Sequence, residues 1–396
     1  MALIGEGGGT VLQGQRKLTN SSTYEKPIYS KKAYDISADV AKLIVLMERM
    51  GNVETIPGSS YKVLKTDKHP LIVTCNTNTN AAESPITLNS GHASRIRVGD
   101  ILQNPRTKTE IRVLTVNTTS DTFTCTRPAG ATTDAAFIED DELQIIGNAQ
   151  AEFSTAPESI TTDIGSDTNY TQTFRAAVEA SRRILNTEYY GGDPIDRNIQ
   201  QALEHLRILE EKQFLFGRGY SASDPTITKG AMGFISTNVF NVGGVITEDY
   251  IRETLLPQVY RRNDSVDELA CFAGEKLRIA FSGFGVDAVR YTPDTKIMGV
   301  NAGAYQSPFG KLALIPHGAM TPIGSAVTAA NYGYQGMAIL LNLKYVGKRI
   351  MKGGEMRFGE VVVTNGPDGK KWGWLEDCGF WLANEPMHAY ADGITG

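Results

Sequence analysis

The chain has 396 residues, 41% of them hydrophobic and 21% charged, with a net charge of −5. That length exceeds one typical core and predicts two or three domains, while the ordinary apolar content excludes wholesale disorder. A mildly negative chain without a basic stripe does not have gripping nucleic acid as its main task, and 40 glycines spread along the sequence favour a turn-rich, β-rich build.

Residues 1–34 are polar and glycine-rich, with Gly7-Gly8-Gly9 and Ser21-Ser22-Thr23, and predict an arm ordered by whatever it lies against. Residues 35–50 carry Ile36, Val40, Leu43, Ile44, Met47 and Met50 at helical spacing, with Asp35 as candidate N-cap and Gly51 as stop. Residues 58–68 are strand-like, with basic character from Lys62, Lys65 and Lys68.

The texture then changes. Residues 70–148 are dense in Thr, Val, Ile and Asn. They predict strands at Leu71–Cys75, Arg95–Leu102, Glu110–Val116, Thr122–Thr126 and Glu142–Ile146, separated by turn signals. That spacing predicts an inserted small β-barrel or sandwich domain. Residues 149–166 are polar and extended, and 168–190 are compatible with either helix or strand.

Residues 193–217 give the clearest element. Asp193 is the candidate cap and Pro194 sits at the first helical position. Ile195, Ile199, Ala202, Leu206 and Leu209 form an apolar stripe, and Gly217 is the stop. The helix is a rod of roughly 34 Å with Asp196, Arg197, Glu204, Arg207 and Glu211 opposite the stripe. Beyond it, Glu248–Tyr260 predicts a helix and Glu275–Phe281 the start of another, while 285–345 reads as short strands and turns. Met356–Thr364 is strongly β and is followed by the hairpin signal Asn365-Gly366-Pro367-Asp368-Gly369. Trp372, Trp374 and Trp381 predict a packed sheet face or a subunit interface rather than a ligand cage.

Chemistry-bearing motifs are missing. Glu6-Gly7-Gly8-Gly9 is no phosphate loop, and no G-x-S-x-G elbow occurs. The five histidines (His69, His92, His205, His317 and His388) show no metal-ligand spacing, and His205 on the long helix is expected to be structural. The run Glu139-Asp140-Asp141-Glu142 is expected to be a solvated loop, because neighbours on a strand point to alternate faces and do not converge on calcium. Cys75, Cys125, Cys271 and Cys378 lie far apart and are expected to be free thiols, mostly buried, in a reducing compartment. No signal-peptide pattern opens the chain and no apolar run reaches the roughly 18 residues of a membrane span, so cytoplasmic synthesis is expected. The expectation is therefore no catalytic residues, no metal and no cofactor.

Four segments, in this order, carry a resemblance. Asn169-Tyr170-Thr171-Gln172-Thr173-Phe174, the helical run Ala202–Gly217 leading to Met232-Gly233-Phe234-Ile235, Tyr305-Gln306-Ser307-Pro308-Phe309-Gly310, and Asn384-Glu385-Pro386-Met387-His388-Ala389 resemble the major capsid proteins of tailed bacteriophages with the Hong Kong 97-type fold. The family more often carries Asp where Pro308 stands. The resemblance implies an α+β fold. Residues 1–34 are then an N-terminal arm, 35–50 a peripheral-domain helix, and 51–166 an extended loop with the inserted β domain at about 70–148. Residues 167–245 form the peripheral domain with its spine helix at 193–217, 246–345 the axial domain, and 346–396 the returning peripheral strands. The implied function is a non-enzymatic subunit that self-assembles as pentamers and hexamers into an icosahedral head around double-stranded DNA, located in the virion and assembled in the bacterial host cytoplasm. The implied partners are copies of itself, a cement or decoration protein, a scaffolding protein, the portal, and DNA touched non-specifically at the inner face, with no membrane. Candidate inter-subunit contacts are Lys62, Lys65 and Lys68, expected to meet the acidic Glu204, Glu210 and Glu211 on a neighbouring spine helix, together with Arg207 on that helix. The rival readings are a β-rich tail-tube, decoration or binding module, and a hydrolase using residues 246–345.

Overall fold

The computed structural model describes residues 41–65, 69–78, 85–126, 136–154, 159, 164–187, 194–220, 225–263, 269–284, 292–297, 300–320, 333–361 and 368–395. The expected arm, Asp35, Ile36 and Val40, Lys68, the Asp193 cap and the turn 365–367 lie outside them. The chain divides into two units, Met1–Val63 with Thr168–Gly396, and Leu64–Asp167.

Helix α1 (Lys42–Met50) ends at Gly51 in the left-handed region, φ 72°, a conformation that costs glycine nothing. It starts with Ala41 at the N-cap position and has no side-chain cap of its own. Strand β1 (Val53–Ile56) follows, and β2 (Ser60–Lys65) leads into the second unit.

The second unit is built from β3 (Ile72–Thr74), β4 (Ile86–Thr87), β5 (Asp100–Gln103), β6 (Glu110–Asn117), β7 (Thr122–Thr126) and β8 (Glu142–Asn148). Their order in the sheet is β3-β8-β5-β6-β7-β4. A bridge between Cys75 and Leu88 joins the two ends of that order, so the sheet closes on itself and the edges that would invite pairing are removed. Val73, Leu102, Ile111, Val113, Phe123, Phe137 and Leu143 fill the interior. The strand expected over Arg95–Leu102 starts later. His92–Arg95 is a 3-10 turn, and Gly99 at φ 91° breaks the extended run just before β5. In the acidic run Glu139, Asp140 and Glu142 are exposed, as expected of a solvated loop, whereas Asp141 is buried and accepts from Arg106 at 2.6 and 2.9 Å and from Asn104 at 2.8 Å.

Strand β9 (Gly165–Tyr170), paired with β2, leads back into the first unit, where β10 (Gln172–Ser181) and the spine helix α2 (Pro194–Phe216) follow. The short strands β11 (Arg218–Tyr220) and β12 (Ile227–Lys229) form a ladder, followed by β13 (Val239–Gly244). A π-helical stretch, Tyr250–Leu255, continues as α3 (Leu256–Asn263). Then follow β14 (Leu269–Ala273), α4 (Glu275–Gly283), β15 (Thr292–Ile297), β16 (Val300–Ser307), β17 (Gly310–Pro316), β18 (Ala338–Asn342), β19 (Val346–Met351), β20 (Arg357–Glu360), β21 (Gly369–Leu382) and β22 (Ala389–Ile394). The ambiguous 168–190 segment is therefore mainly strand, with one helical turn at Arg182–Leu185.

Two sheets organise this unit. One runs β1-β19-β21-β10, with β20 also on β21; the other runs β13-β22-β18-β14-β17-β16-β15. The final strand, β22, thus lies in the seven-stranded sheet, between β13 and β18. β14 is an unbroken apolar run, Leu-Ala-Cys-Phe-Ala, and β18 is apolar up to its last residue, Ala-Ile-Leu-Leu-Asn, because both faces of each strand are buried. With side chains alternating along a strand, Ala270, Phe272, Ile339 and Leu341 enter the core shared with α1 and α2. Leu269, Cys271, Ala338 and Leu340 enter a second core with Leu256, Leu277 and Tyr305.

Candidate functional site

The buried face of α2 runs through Ile195, Leu206, Glu210 and Phe214, with Ile199, Ala202 and Leu203 half-buried along it. From Leu206 the stripe steps four residues to Glu210 and four more to Phe214, so a carboxylate occupies a core position. Leu209, expected in the stripe, is 42% exposed, because it lies on the flank of this face. Glu210 and Glu211 are both fully buried. Burial of a charge is costly unless it is paired and hydrogen-bonded, and each of the two has such a setting.

Glu211 serves helix α1. Its Oε1 accepts the backbone N–H of Leu43 at 2.7 Å, and its Oε2 that of Ile44 at 3.0 Å. These are first-turn donors that α1 has no residue of its own to satisfy. A carboxylate at a helix N-terminus also meets the positive end of the helix dipole. His317 Nε2 lies 2.6 Å from the same Oε1, and Lys42 Nζ donates to the carbonyl of Pro316 at 2.8 Å. One carboxylate thus joins α1, α2 and the segment after β17. A second tie, Arg207 to Glu48 at 2.9 Å, fixes α1 one turn further along.

Glu210 faces the five-stranded sheet. Lys348 Nζ, from β19, lies 2.5 Å from Glu210 Oε1 and 2.5 Å from Glu376 Oε1 on β21. Cys378, two residues on from Glu376 and so on the same face of β21, donates its thiol to Glu210 Oε1 at 3.4 Å. All four side chains are buried. The second oxygens of Glu210 and Glu376 have no hydrogen-bond partner among the described residues. Burial pushes the Glu210 carboxyl up to about 7, against the pull of the Lys348 ammonium. Burial works against the Lys348 charge, but the Glu210 carboxylate outweighs it and the net shift is upward. The Cys378 thiol is raised by burial and stays protonated. Glu210, Glu376 and Cys378 offer three metal-type donors close together, but the Lys348 ammonium already stands between the two carboxylates.

The four segments that carry the resemblance have structural jobs. Asn169 is fully buried. Its Nδ2 donates to Phe380 O at 2.7 Å and lies 3.0 Å from Tyr61 Oη, 3.1 Å from Lys229 O and 3.2 Å from Thr228 Oγ1. Its Oδ1 accepts from Lys229 N at 2.7 Å. Ser307 Oγ donates to Gly310 O at 2.7 Å and accepts from Phe309 N at 3.2 Å, closing the turn around Pro308. Glu385 Oε1 accepts from Ser236 N and Thr237 N, each at 2.6 Å. His388 Nδ1 accepts from Asn342 N at 3.1 Å, and its Nε2 donates to Ala383 O at 3.1 Å. Of the tryptophans, Trp374 donates to Ile199 O on α2 at 3.1 Å, and Trp381 lies under the Arg349 guanidinium at 4.5 Å. His205, expected to be structural, lies on the exposed face of α2.

The expected contact residues divide. Lys62 and Glu204 are exposed, and Lys68 falls outside the described residues. Lys65 pairs with Asp167 of its own chain at 3.0 Å. The expectation that Glu210 and Glu211 face a neighbour is corrected: both lie on the inward face of α2 and are held by Lys348, His317 and the start of α1. Arg207 is likewise engaged within the chain. Sequence reasoning missed Lys348, Glu376 and His317. The one available signal was Glu210 itself, four residues from Leu206 and four from Phe214.

No curated protein matches this chain. Among solved structures, a chain from Gordonia phage Cozz is similar over 96% of this chain and 98% of its own, at 11% identity and a TM-score of 0.50. The capsid of a native GTA particle covers 97% of this chain and 100% of its own, at 9% identity and a TM-score of 0.48. The holo-SrpI encapsulin complex of Synechococcus elongatus covers 59% and 78%, at 14% identity and a TM-score of 0.41. The family model for the SU10 major capsid protein matches residues 19–395. Spanning nearly its whole length with that match, the chain belongs to the SU10 major capsid protein family, as a non-enzymatic structural protein of the Hong Kong 97-type fold that assembles with copies of itself into the icosahedral shell of a virion.

Proposed function

We propose that the shell is built from pentamers and hexamers of this chain and encloses packaged double-stranded DNA. The observation that carries this reading is the family match over residues 19–395. The part with the five-stranded sheet and spine helix serves as the peripheral domain, and the seven-stranded sheet with α3 and α4 as the axial domain around the fivefold and sixfold centres. The closed β unit inserted in the extended loop, Leu64–Asp167, strengthens contacts between subunits or receives a cement protein. A net charge of −5 suits a wall that contains DNA without gripping it. Ring closure is head-to-tail, so one patch must complement a different one. Lys62 and Glu204, both exposed, remain candidates for such a contact. A separate scaffolding protein and a portal complete assembly, in the cytoplasm of the bacterial host.

The test is electron microscopy of the purified protein, alone and with its scaffolding partner, together with the mass from light scattering. Closed shells, or rings of five and six, are expected. A monodisperse monomer under every assembly condition would overturn the reading.

A further inference from the structure

The centre of the five-stranded sheet holds an arrangement that ordinary ion pairing does not account for. One buried lysine faces two buried carboxylates, each at 2.5 Å through a single oxygen, and each carboxylate leaves its other oxygen without a partner among the described residues. An ion pair that served stability alone would satisfy those oxygens, since a buried unpaired acceptor costs about 1–3 kcal/mol. The site lies in the core formed by Leu206, Phe214, Val346 and Phe380. The reacting groups come from α2, β19 and β21, elements far apart in sequence, so they meet only once the fold is complete.

We propose that Lys348 and Glu210 condense in the folded subunit to an intrachain amide, with Glu376 as the proton acceptor that drives the step. The starting groups are the Lys348 ammonium, the Glu210 carboxylic acid and the Glu376 carboxylate. Glu376 takes a proton from Nζ, and the freed lone pair attacks Cδ of Glu210, forming the C–N bond. The tetrahedral carbon then expels its hydroxyl. Glu376 delivers a proton to the departing oxygen, which leaves as water, and recovers one from the nitrogen. The products are the amide, the Glu376 carboxylic acid and water. No oxidant or activating group is needed. Two opposite buried charges become none, which is the direction that an apolar setting favours. Burial raises the Glu210 carboxyl, which favours the neutral acid that the step requires. The bond staples the spine helix to the sheet once per subunit. It is a single self-modification, not a turnover.

Denaturing mass spectrometry of the purified subunit and of assembled shells tests this directly. The expected mass is that of the sequence less one water. Trypsin should fail to cut after Lys348 and should release Tyr345–Arg349 joined to Ile208–Lys212. Glu376→Gln, which keeps the hydrogen-bonding shape but cannot take the proton, should restore the full mass while circular dichroism stays unchanged. Lys348→Arg should also show the full mass. A wild-type mass equal to the sequence, with free cleavage at Lys348 in both subunits and shells, would overturn the proposal and leave a persistent ion triad. Fragmentation that places the bond on Glu376 would overturn the assigned roles. The wild-type measurement stands even if a variant does not fold.

Discussion

Replacing Glu211 by glutamine should loosen the start of helix α1 selectively. The carboxylate accepts Leu43 N–H on one oxygen and Ile44 N–H on the other, and His317 Nε2 reaches the first oxygen at 2.6 Å. Glutamine keeps one oxygen but turns the other position into a donor, so one buried backbone N–H faces an NH2 group. Hydrogen bonds to a charged group contribute about 1.5–3 kcal/mol, and an unsatisfied buried donor costs about 1–3 kcal/mol. Loss of a helix cap costs about 0.5–2 kcal/mol, and because these figures overlap, a total near 2–4 kcal/mol follows. The assay is hydrogen exchange at the Leu43 and Ile44 amides of the free subunit, beside urea unfolding. Protection at those two amides should fall by about 30- to 1000-fold. Glu204→Gln, exposed on the same helix, should change stability by less than about 0.5 kcal/mol. Unchanged exchange at Leu43 and Ile44 in Glu211→Gln would refute the idea that this carboxylate caps α1.

Acid should act through His388. Its imidazole is fully buried, and burial lowers its pKa from 6.5 to about 4. The unfolded chain therefore binds a proton between pH 6.5 and 4 that the folded chain refuses. The stabilisation is present above 6.5 and is lost as the pH falls through that window, by about 3 kcal/mol from this group. His388→Gln, which can accept from Asn342 and donate to Ala383 without titrating, should flatten the fall in unfolding midpoint between pH 7 and pH 4.5. An unchanged slope would remove His388 as its cause. Gly230→Ala should destabilise by about 2–3 kcal/mol or more, because a Cβ there would stand 2.3 Å from Gln213 O and 2.6 Å from Phe214 O at the end of α2. Gly359→Ala, with nothing within 4 Å, is the control for both solubility and thermal midpoint.

How much of this was legible follows from which signals are local. The spine helix announced itself through Pro194, the apolar stripe and Gly217. β14 and β18 were hidden, because a strand buried on both faces loses the alternation that marks a half-exposed one. Closure of the inserted sheet depends on Ile86–Thr87 and the bridge at Leu88, too short a segment to carry a period. The buried charges were misplaced for a different reason. Glutamate on a long helix is ordinarily solvated, and nothing near Glu210 or Glu211 in sequence discloses Lys348, Glu376 or His317, which are more than 100 residues away. What did point inward was position, since the stripe through Leu206 and Phe214 passes through Glu210. Asn169 and Glu385 stand out in the sequence only as parts of resembling segments, and His388 also as one of five histidines without metal-ligand spacing. Their actual work, satisfying backbone groups where strands from distant parts of the chain meet, has no local signature.

Buried ion pairs add little net stability over well-packed apolar residues, so the belt on the spine helix needs another rationale. Register supplies one. Glu210 and Glu211 are adjacent, but they face different partners: Glu210 meets the sheet through Lys348, and Glu211 meets α1 and His317. If α2 slipped by one turn, about 5.4 Å, as the chain folds and before any bond joins Lys348 to Glu210, both carboxylates would leave their partners while staying buried, and Lys348 would lose one of its two anions. An apolar stripe alone would tolerate that slip, since Leu, Ile and Phe repack at modest cost. The charged belt makes one axial setting of the spine far better than its neighbours. In a shell, an error in helix position repeats in every copy and changes the curvature of the whole assembly. A subunit with one setting therefore serves closure better than one with a slightly more stable but slippable core.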